Sequence, residues 1–225
     1  MAHPDDVELL CAGTLARAKA DGAPIGICVM CRGDKGAGTA TGTADLAVVR
    51  RAEADAAANV LGAELFWQDH ADGELFDTYP DRLKLVETFR RFRPTLVIAH
   101  APEDYHPDHR AASALAEAAT WLAASRGHVT AGAEPLDTPP SLWWADTINM
   151  SGFEPGFYVE VSAYASQKRK MLECHRSQLQ RGADGDFAPL IDLMTRQSQA
   201  RGAQAGVEGA EAFRALHAFK RSRAW

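Results

Sequence analysis

Hydrophobic and polar positions along this chain alternate in blocks that predict strand, helix, strand, helix. Short apolar runs at Ile25 to Cys31 ("IGICVMC"), Glu64 to Gln68 ("ELFWQ") and Thr95 to Ala101 ("TLVIAHA") have the length and continuity of strands buried on both faces. Between them lie stretches with helical spacing. The first, within "AHPDDVELLCAGTLARAKADG", is apolar and alanine-rich from Val7 onward. In the second, "TADLAVVRRAEADAAANVLG", Thr43 reads as the N-cap, Leu46, Val49, Ala56 and Val60 as the apolar stripe, and Gly62 as the stop. A third runs from Pro80 to Pro94 with a basic last turn, and a fourth, "HRAASALAEAATWLAASRG", ends at Gly127. Beyond Gly127 the pattern predicts a Pro-rich link, strands at "LWWADTI" and "FYVEVSA", and a helix through "SQKRKMLECHRSQL".

This order predicts an α/β fold: a Rossmann-like, mostly parallel sheet with helices on both faces. Residues 1–225 read as a single domain, with an α/β core over 1–127 and a C-terminal cap of the same domain over 128–225. Open sheets of this kind place their sites at the carboxyl ends of strands. Only Met1 and Ala2 precede His3, so the first strand is expected to be missing or truncated, with the numbered chain starting late.

With 225 residues, 46% hydrophobic and 24% charged, the composition is that of an ordinary globular domain, and the net charge of -6 offers no basic footprint for nucleic acid. No apolar run reaches the roughly 18 residues of a membrane helix, and the chain reads as cytoplasmic with no membrane partner. Four scattered cysteines give no disulfide framework; the Cys28 and Cys31 pair, inside a strand, reads as buried and structural. Trp143 and Trp144 leave two readings open, core packing or an interface of a homo-oligomer.

Two polar clusters carry the chemistry. "HPDD" at His3 to Asp6 and "HPDH" at His106 to His109 each stand at the mouth of a helix, on loops at the same edge of the expected sheet. Zinc takes imidazole nitrogen and carboxylate oxygen, and a catalytic site uses three protein ligands and keeps one position open. His3, Asp6 and His109 can supply that set, leaving Asp5 free to take a proton from water. His106 is placed to donate to an oxyanion or a leaving group, and Asp108 to hold one of the imidazoles in its tautomer. "GDKGAG" lacks the ending of a phosphate-binding loop, so nucleotide cradling is rejected there.

The segments "AHPDD", "RGDKG", "VVRRAEADAAANVLG", Asp72 with Gly73, "HPDH" and "CHRSQ" occur in an order that resembles the PIG-L (LmbE-like) family of zinc-dependent N-acetylglucosaminyl deacetylases. "HPDDVE" and "GVEGAEAF" are most similar to its bacillithiol-biosynthesis branch, which acts on an N-acetylglucosaminyl malate; Tyr105 departs from the arginine of that branch. The resemblance implies hydrolysis of the acetamide of a small N-acetyl amino sugar conjugate by a metal-dependent amidohydrolase holding one Zn2+, or another divalent cation, per chain. It implies His3, Asp6 and His109 as metal ligands, Asp5 as general base, His106 with Asp108 behind it as oxyanion stabiliser, and Arg50 and Asp72 as substrate contacts. For Arg50 an ion pair with Glu53 is the alternative. His175 reads as a packing or supporting residue, and Arg32, Asp34 and Lys35 as a rim or a solvated turn. Two other functions stay open: a non-hydrolytic nucleotide-binding module, for which the sequence has no glycine fingerprint, and an inactive metal-binding relict of the family.

Overall fold

Apolar runs become strands and amphipathic stretches become helices in the computed structural model, which describes residues 1–36, 43–179 and 189–217. Helix α1 (Asp6–Leu10) is separated from α2 (Ala12–Ala20) by Cys11, whose φ of -147 and ψ of 5 break the helical run. Strand β1 (Gly26–Cys31) leads to α3 (Thr43–Leu61). The capping expected of Thr43 concerns a side chain outside the described residues. At the other end Gly62, with φ 65, does stop the helix: its N–H bonds Asn59 O while that of Ala63 bonds Ala58 O, closing the last turn.

Strand β2 (Glu64–His70) outruns its apolar run by two residues. Helix α4 (Tyr79–Phe92) begins where Thr78 Oγ1 accepts from Asp81 N, and ends at Arg93 in the left-handed region, next to Pro94. Then come β3 (Leu96–Ala99), α5 (Pro107–Leu122), β4 (Ser141–Ala145) and β5 (Phe157–Glu160). The single helix expected after residue 165 is two pieces, α6 (Ala165–Leu172) and α7 (Arg176–Leu179), because Cys174 and His175 tighten into bonds three residues apart. Helix α8 (Leu190–Ala205) and strand β6 (Ala210–Ala215), both outside the sequence expectation, follow.

Strands β1 and β2 pair in parallel, as do β3 and β4; β6 then lies antiparallel between β4 and β5, giving the order β3-β4-β6-β5. Strands that follow Gly127 thus extend the same sheet as β3. One core cluster packs β1 against α1, α2, α3 and α6, and another packs β3 against α4 and α5, so helices cover both faces. Trp143 belongs to the first, between Phe157 and Phe213, whereas Trp144 lies beneath the Arg214 guanidinium.

The apolar stripe of α3 differs from the expected one. Val49 and Val60 face outward, and the buried positions are Leu46, Arg50, Ala54, Ala57, Ala58 and Leu61. The periodicity is helical in both versions, but the inner stripe contains an arginine, which pattern reading assigns to solvent.

Between β1 and β3 lies a cavity of about 520 Å³ with largely apolar walls. Interiors hold few voids larger than a water molecule. No helix among the described residues is long and apolar enough to cross a membrane.

Candidate active site

The two clusters meet at the carboxyl ends of β1 and β3. His3 and Asp5 stand on the turn between the short extended segment Met1–Ala2 and α1, and Asp6 is the first residue of that helix. His3 N donates to Asp6 Oδ2 at 2.7 Å, which folds the turn so that both side chains point the same way. His106 caps α5 and His109 lies in its first turn.

Three residues converge through four ligand atoms. His3 Nδ1 is 3.3 Å from His109 Nε2, His109 Nε2 is 3.4 Å from Asp6 Oδ1, and His3 Nδ1 is 3.6 Å from Asp6 Oδ2. Ligands about 2.0–2.2 Å from a tetrahedral zinc stand roughly 3.3–3.6 Å from one another, and these separations fall in that range, with Asp6 meeting His109 through Oδ1 and His3 through Oδ2. Each imidazole is also backed by a carboxylate on its far nitrogen: Asp108 Oδ2 is 3.0 Å from His3 Nε2, and Asp104 Oδ1 is 3.0 Å from His109 Nδ1, the second off-line for a hydrogen bond. Carboxylates so placed favour the proton on the far nitrogen and leave the near lone pair free for a cation. Burial opposes a charge on His3, but the hydrogen bonds to Asp108 and Asp6 outweigh it and lift its pKa to about 10. Burial also acts to raise Asp6, yet the imidazoles of His109 and His100 hold it well below the usual carboxylate range.

Two residues of this cluster carried no site assignment in the sequence. Asp104 sits beside "HPDH" with only its proximity as a signal. His100, fully buried, was legible only as the end of an apolar run; its Nε2 lies 3.1 Å from Asp6 Oδ2 and accepts from Ala2 N at 2.9 Å, and its ring stacks on that of His109. The ligand atoms of Asp6, His100 and His109 lie within 4.8 Å of one another, as do those of His3, His106 and His109. Burial and the neighbouring His109 lower the His100 pKa to about 4.

Asp108 backs His3 rather than His106, whose Nδ1 is 4.0 Å away. That Nδ1 instead accepts from Asp108 N at 3.2 Å, so the ring proton of the neutral form is on Nε2. Burial and the nearby His3 and His109 lower the His106 pKa. The His106 side chain is 33% exposed, against 13% for His3 and 2% for His109, and so stands on the open side of the cluster.

Asp5 has φ 96, a left-handed conformation that a non-glycine residue holds only when its surroundings impose it. Burial, and then the charge of Asp6, push its pKa up to about 7, against the pull of His175 and His3. His175 is buried with Nε2 3.4 Å from Glu8 Oε1.

The rest of "CHRSQ" secures the rim. Gln178 Oε1 accepts from Arg50 Nη2 at 2.6 Å, and Ser177 donates through N and Oγ to Glu53. Arg50, 2% exposed, also donates to Gly36 O and lies under the loop that follows β1. A Cβ on Gly33, which has φ 73, would stand 2.4 Å from Arg50 Cδ. Asp72 holds the same loop from above, accepting from Gly33 N and Lys35 N, while Arg32 and Asp34 form an ion pair within it. Cys28 and Cys31 are free thiols; Cys31 lies beside His3 and Asp108, its thiol pushed up by burial.

Residues 1–120 match the family model described as PIG-L, GlcNAc-PI de-N-acetylase. A 1D-myo-inositol 2-acetamido-2-deoxy-alpha-D-glucopyranoside deacetylase of Rhodococcus erythropolis is 32% identical, over 69% of this chain and 62% of its own length. A 4-oxalmesaconate hydratase of Pseudomonas putida is 27% identical, over 69% of this chain and 57% of its own. The chain therefore spans less than two thirds of these relatives. The crystal structure of the conserved protein TT1542 from Thermus thermophilus superposes with a TM-score of 0.79 at 36% identity, covering 99% of this chain and 96% of that one.

Proposed function

The chain belongs to the PIG-L family, and on that premise we propose that it is a metal-dependent deacetylase that hydrolyses the acetamide of a small N-acetylglucosaminyl conjugate to acetate and a free amino sugar. The observation that carries this reading is the convergence of His3 Nδ1, His109 Nε2 and the Asp6 carboxylate at separations of 3.3 to 3.6 Å, Asp6 facing each imidazole through a different oxygen. These three residues would hold the cation, with Asp108 and Asp104 orienting the imidazoles. A divalent cation such as zinc, when bound, polarises a carbonyl and brings the pKa of water toward neutrality.

The protein's own residues then divide the proton work. Asp5, with a pKa near 7, takes a proton from the attacking water as the water oxygen bonds the acetamide carbon. Negative charge develops on the carbonyl oxygen, and His106 Nε2–H is the donor suited to it; a preorganised donor of this kind contributes roughly 3–4 kcal/mol. When the C–N bond breaks, the proton held by Asp5 passes to the departing amine. Arg50 and Asp72 act by fixing the loop from Gly33 to Gly36, which we assign to the substrate rim. The deacetylase relative from Rhodococcus supports an amino sugar substrate, and the hydratase relative supplies the competing chemistry.

Acetate release from a panel of N-acetylglucosaminyl conjugates, with metal content measured on the same preparation, tests the reading. Turnover that depends on one bound cation per chain is expected. Water addition across the double bond of an unsaturated dicarboxylate, with no acetate from any conjugate, would assign the hydratase chemistry instead.

A further inference from the structure

One tight turn after β2 bonds both the rim loop and the cluster of converging ligands. Strand β2 ends at His70, and Glu74 N bonds Ala71 O at 3.1 Å, closing a turn over residues 71–74. Gly73 takes φ 74 there, the left-handed third position of a turn that favours glycine. Leu75, 3% exposed, packs with Leu85, Val86 and Phe89 and anchors the turn in the core.

One side of the turn grips the rim. Asp72 Oδ1 accepts from Gly33 N at 2.8 Å and Oδ2 from Lys35 N at 3.2 Å, while Asp72 N donates to Asp34 Oδ1 at 2.9 Å. Asp72 is thus tied to three consecutive residues of the loop that follows β1. The other side grips Asp108. Gly73 N donates to Asp108 Oδ2 at 2.7 Å, and Leu75 N donates to Oδ1 at 3.4 Å. Asp108 is 1% exposed, and its Oδ2 is the atom 3.0 Å from His3 Nε2. A buried carboxylate keeps its orientation only as well as its donors keep theirs. Contacts therefore run without a break from Gly33 and Lys35 through Asp72, the N–H groups of Gly73 and Leu75, and Asp108 to the His3 imidazole.

We propose that Asp72 is a positioning residue for His3: it fixes the turn whose N–H groups orient Asp108, and so couples order in the rim loop to affinity for the cation. The proposal rests on His3, Asp6 and His109 holding that cation, and it differs from a sugar-contacting role because it acts with no substrate present. Each carboxylate oxygen of Asp72 is engaged by a loop N–H, as a clamp requires. The ion pair of Lys35 with Glu74 spans the same two loops, but its side chains are 48% and 64% exposed, and such pairs contribute little. The backbone bonds carry the coupling. Coupling of this kind is reciprocal, so a bound cation must order the rim to the same extent that an ordered rim favours the cation.

Zinc titrations of Asp72→Ala, Asp72→Asn and Glu74→Gln, read by competition with a chromophoric chelator and by amide exchange, test this. Asp72→Ala should weaken zinc binding about 10-fold. Asp72→Asn, which keeps one acceptor oxygen, should recover part of that loss, and Glu74→Gln should match the unmodified chain. Zinc should slow exchange ~10-fold at Gly33 and Lys35 in the unmodified chain and leave them unchanged in Asp72→Ala. In the metal-free protein, Asp72→Ala should speed exchange at Gly73 and Leu75, whose N–H groups Asp72 does not accept, without changing it at the buried Val86 and Leu115. Equal zinc affinity in Asp72→Ala and the unmodified chain, a Glu74→Gln variant as weak as Asp72→Ala, or faster exchange that extends to Val86 and Leu115 overturns the proposal. An unmodified chain that binds no zinc would overturn the cation site together with this role, whereas zinc bound equally with and without Asp72 removes the positioning role alone.

Discussion

The imidazole of His100 lies flat on that of His109, ring centroids 3.9 Å apart and planes 9° from parallel. The same residue touches Asp6 Oδ2, so one buried side chain braces two of the three converging ligands. Replacing it with alanine removes the stack and the contact with Asp6 while leaving His3, Asp6 and His109 in the sequence. His100→Ala should weaken cation affinity by roughly 10- to 100-fold, read by competition with a chromophoric chelator. Unchanged affinity would reduce His100 to packing.

Asp5→Asn should bind the cation normally and release acetate roughly 10²- to 10⁴-fold more slowly, the usual contribution of a positioned base. Because the base acts when ionised, turnover of the unmodified chain should rise with pH toward about 7.

The same group makes a stability prediction for the metal-free protein. With its folded pKa raised to about 7 from the ordinary carboxylate value of 3.8, Asp5 keeps its proton in the folded chain while the unfolded chain has lost it. Folding stability therefore falls as pH rises from about 4 to 7, and the penalty is complete above 7. Asp5→Asn should raise the Tm in chelator at pH 8 and leave it unchanged at pH 4. A variant destabilised at pH 8 would contradict a buried, protonated carboxyl.

His3 holds a proton up to about pH 10 when no cation is present, through its bonds to Asp108 and Asp6. Cation binding at pH 8 should release that proton, and affinity should climb with pH. Calorimetric titrations in buffers of different ionisation enthalpy count the protons directly; none released at pH 8 would mean that His3 is not displaced from its charged pairing.

Gly33→Ala combines a left-handed φ of 73 with a Cβ 2.4 Å from Arg50 Cδ. The loop must move, because Arg50 is pinned by Gln178 and Gly36 O. A raised KM with full metal content is the expected signature of a displaced rim, alongside a stability loss above ~1 kcal/mol.

Where local pattern and tertiary environment agree, the chain was legible. The runs that became β1, β2 and β3 are apolar because both their faces are covered, and "HPDD" and "HPDH" stand out because ligand-rich turns before helices are unusual. His100 and Arg50 were hidden for opposite reasons: the first ends an apolar run, and the second is a charge inside the buried stripe of α3. Strand β6, "AEAFRA", has the composition of a helix and is extended only because β4 and β5 pair with it on either side. Its Glu211 is buried by partners far away in sequence, Gly13 N, Thr14 N and Lys168 Nζ. No local pattern announces such partners.

The short turn of α7 has a bearing on how this fold can be divided. Every converging ligand atom belongs to a residue no later than His109, yet Gln178, which braces Arg50 under the loop, Ser177, which braces Glu53 on the same helix, and His175, whose charge acts on Asp5, come far later in the chain. A fragment cut after residue 120 would carry the full inventory of chemical groups and lack the scaffolding that gives them their geometry. Changes in the late part of the chain can therefore retune the chemistry without touching a residue that performs it.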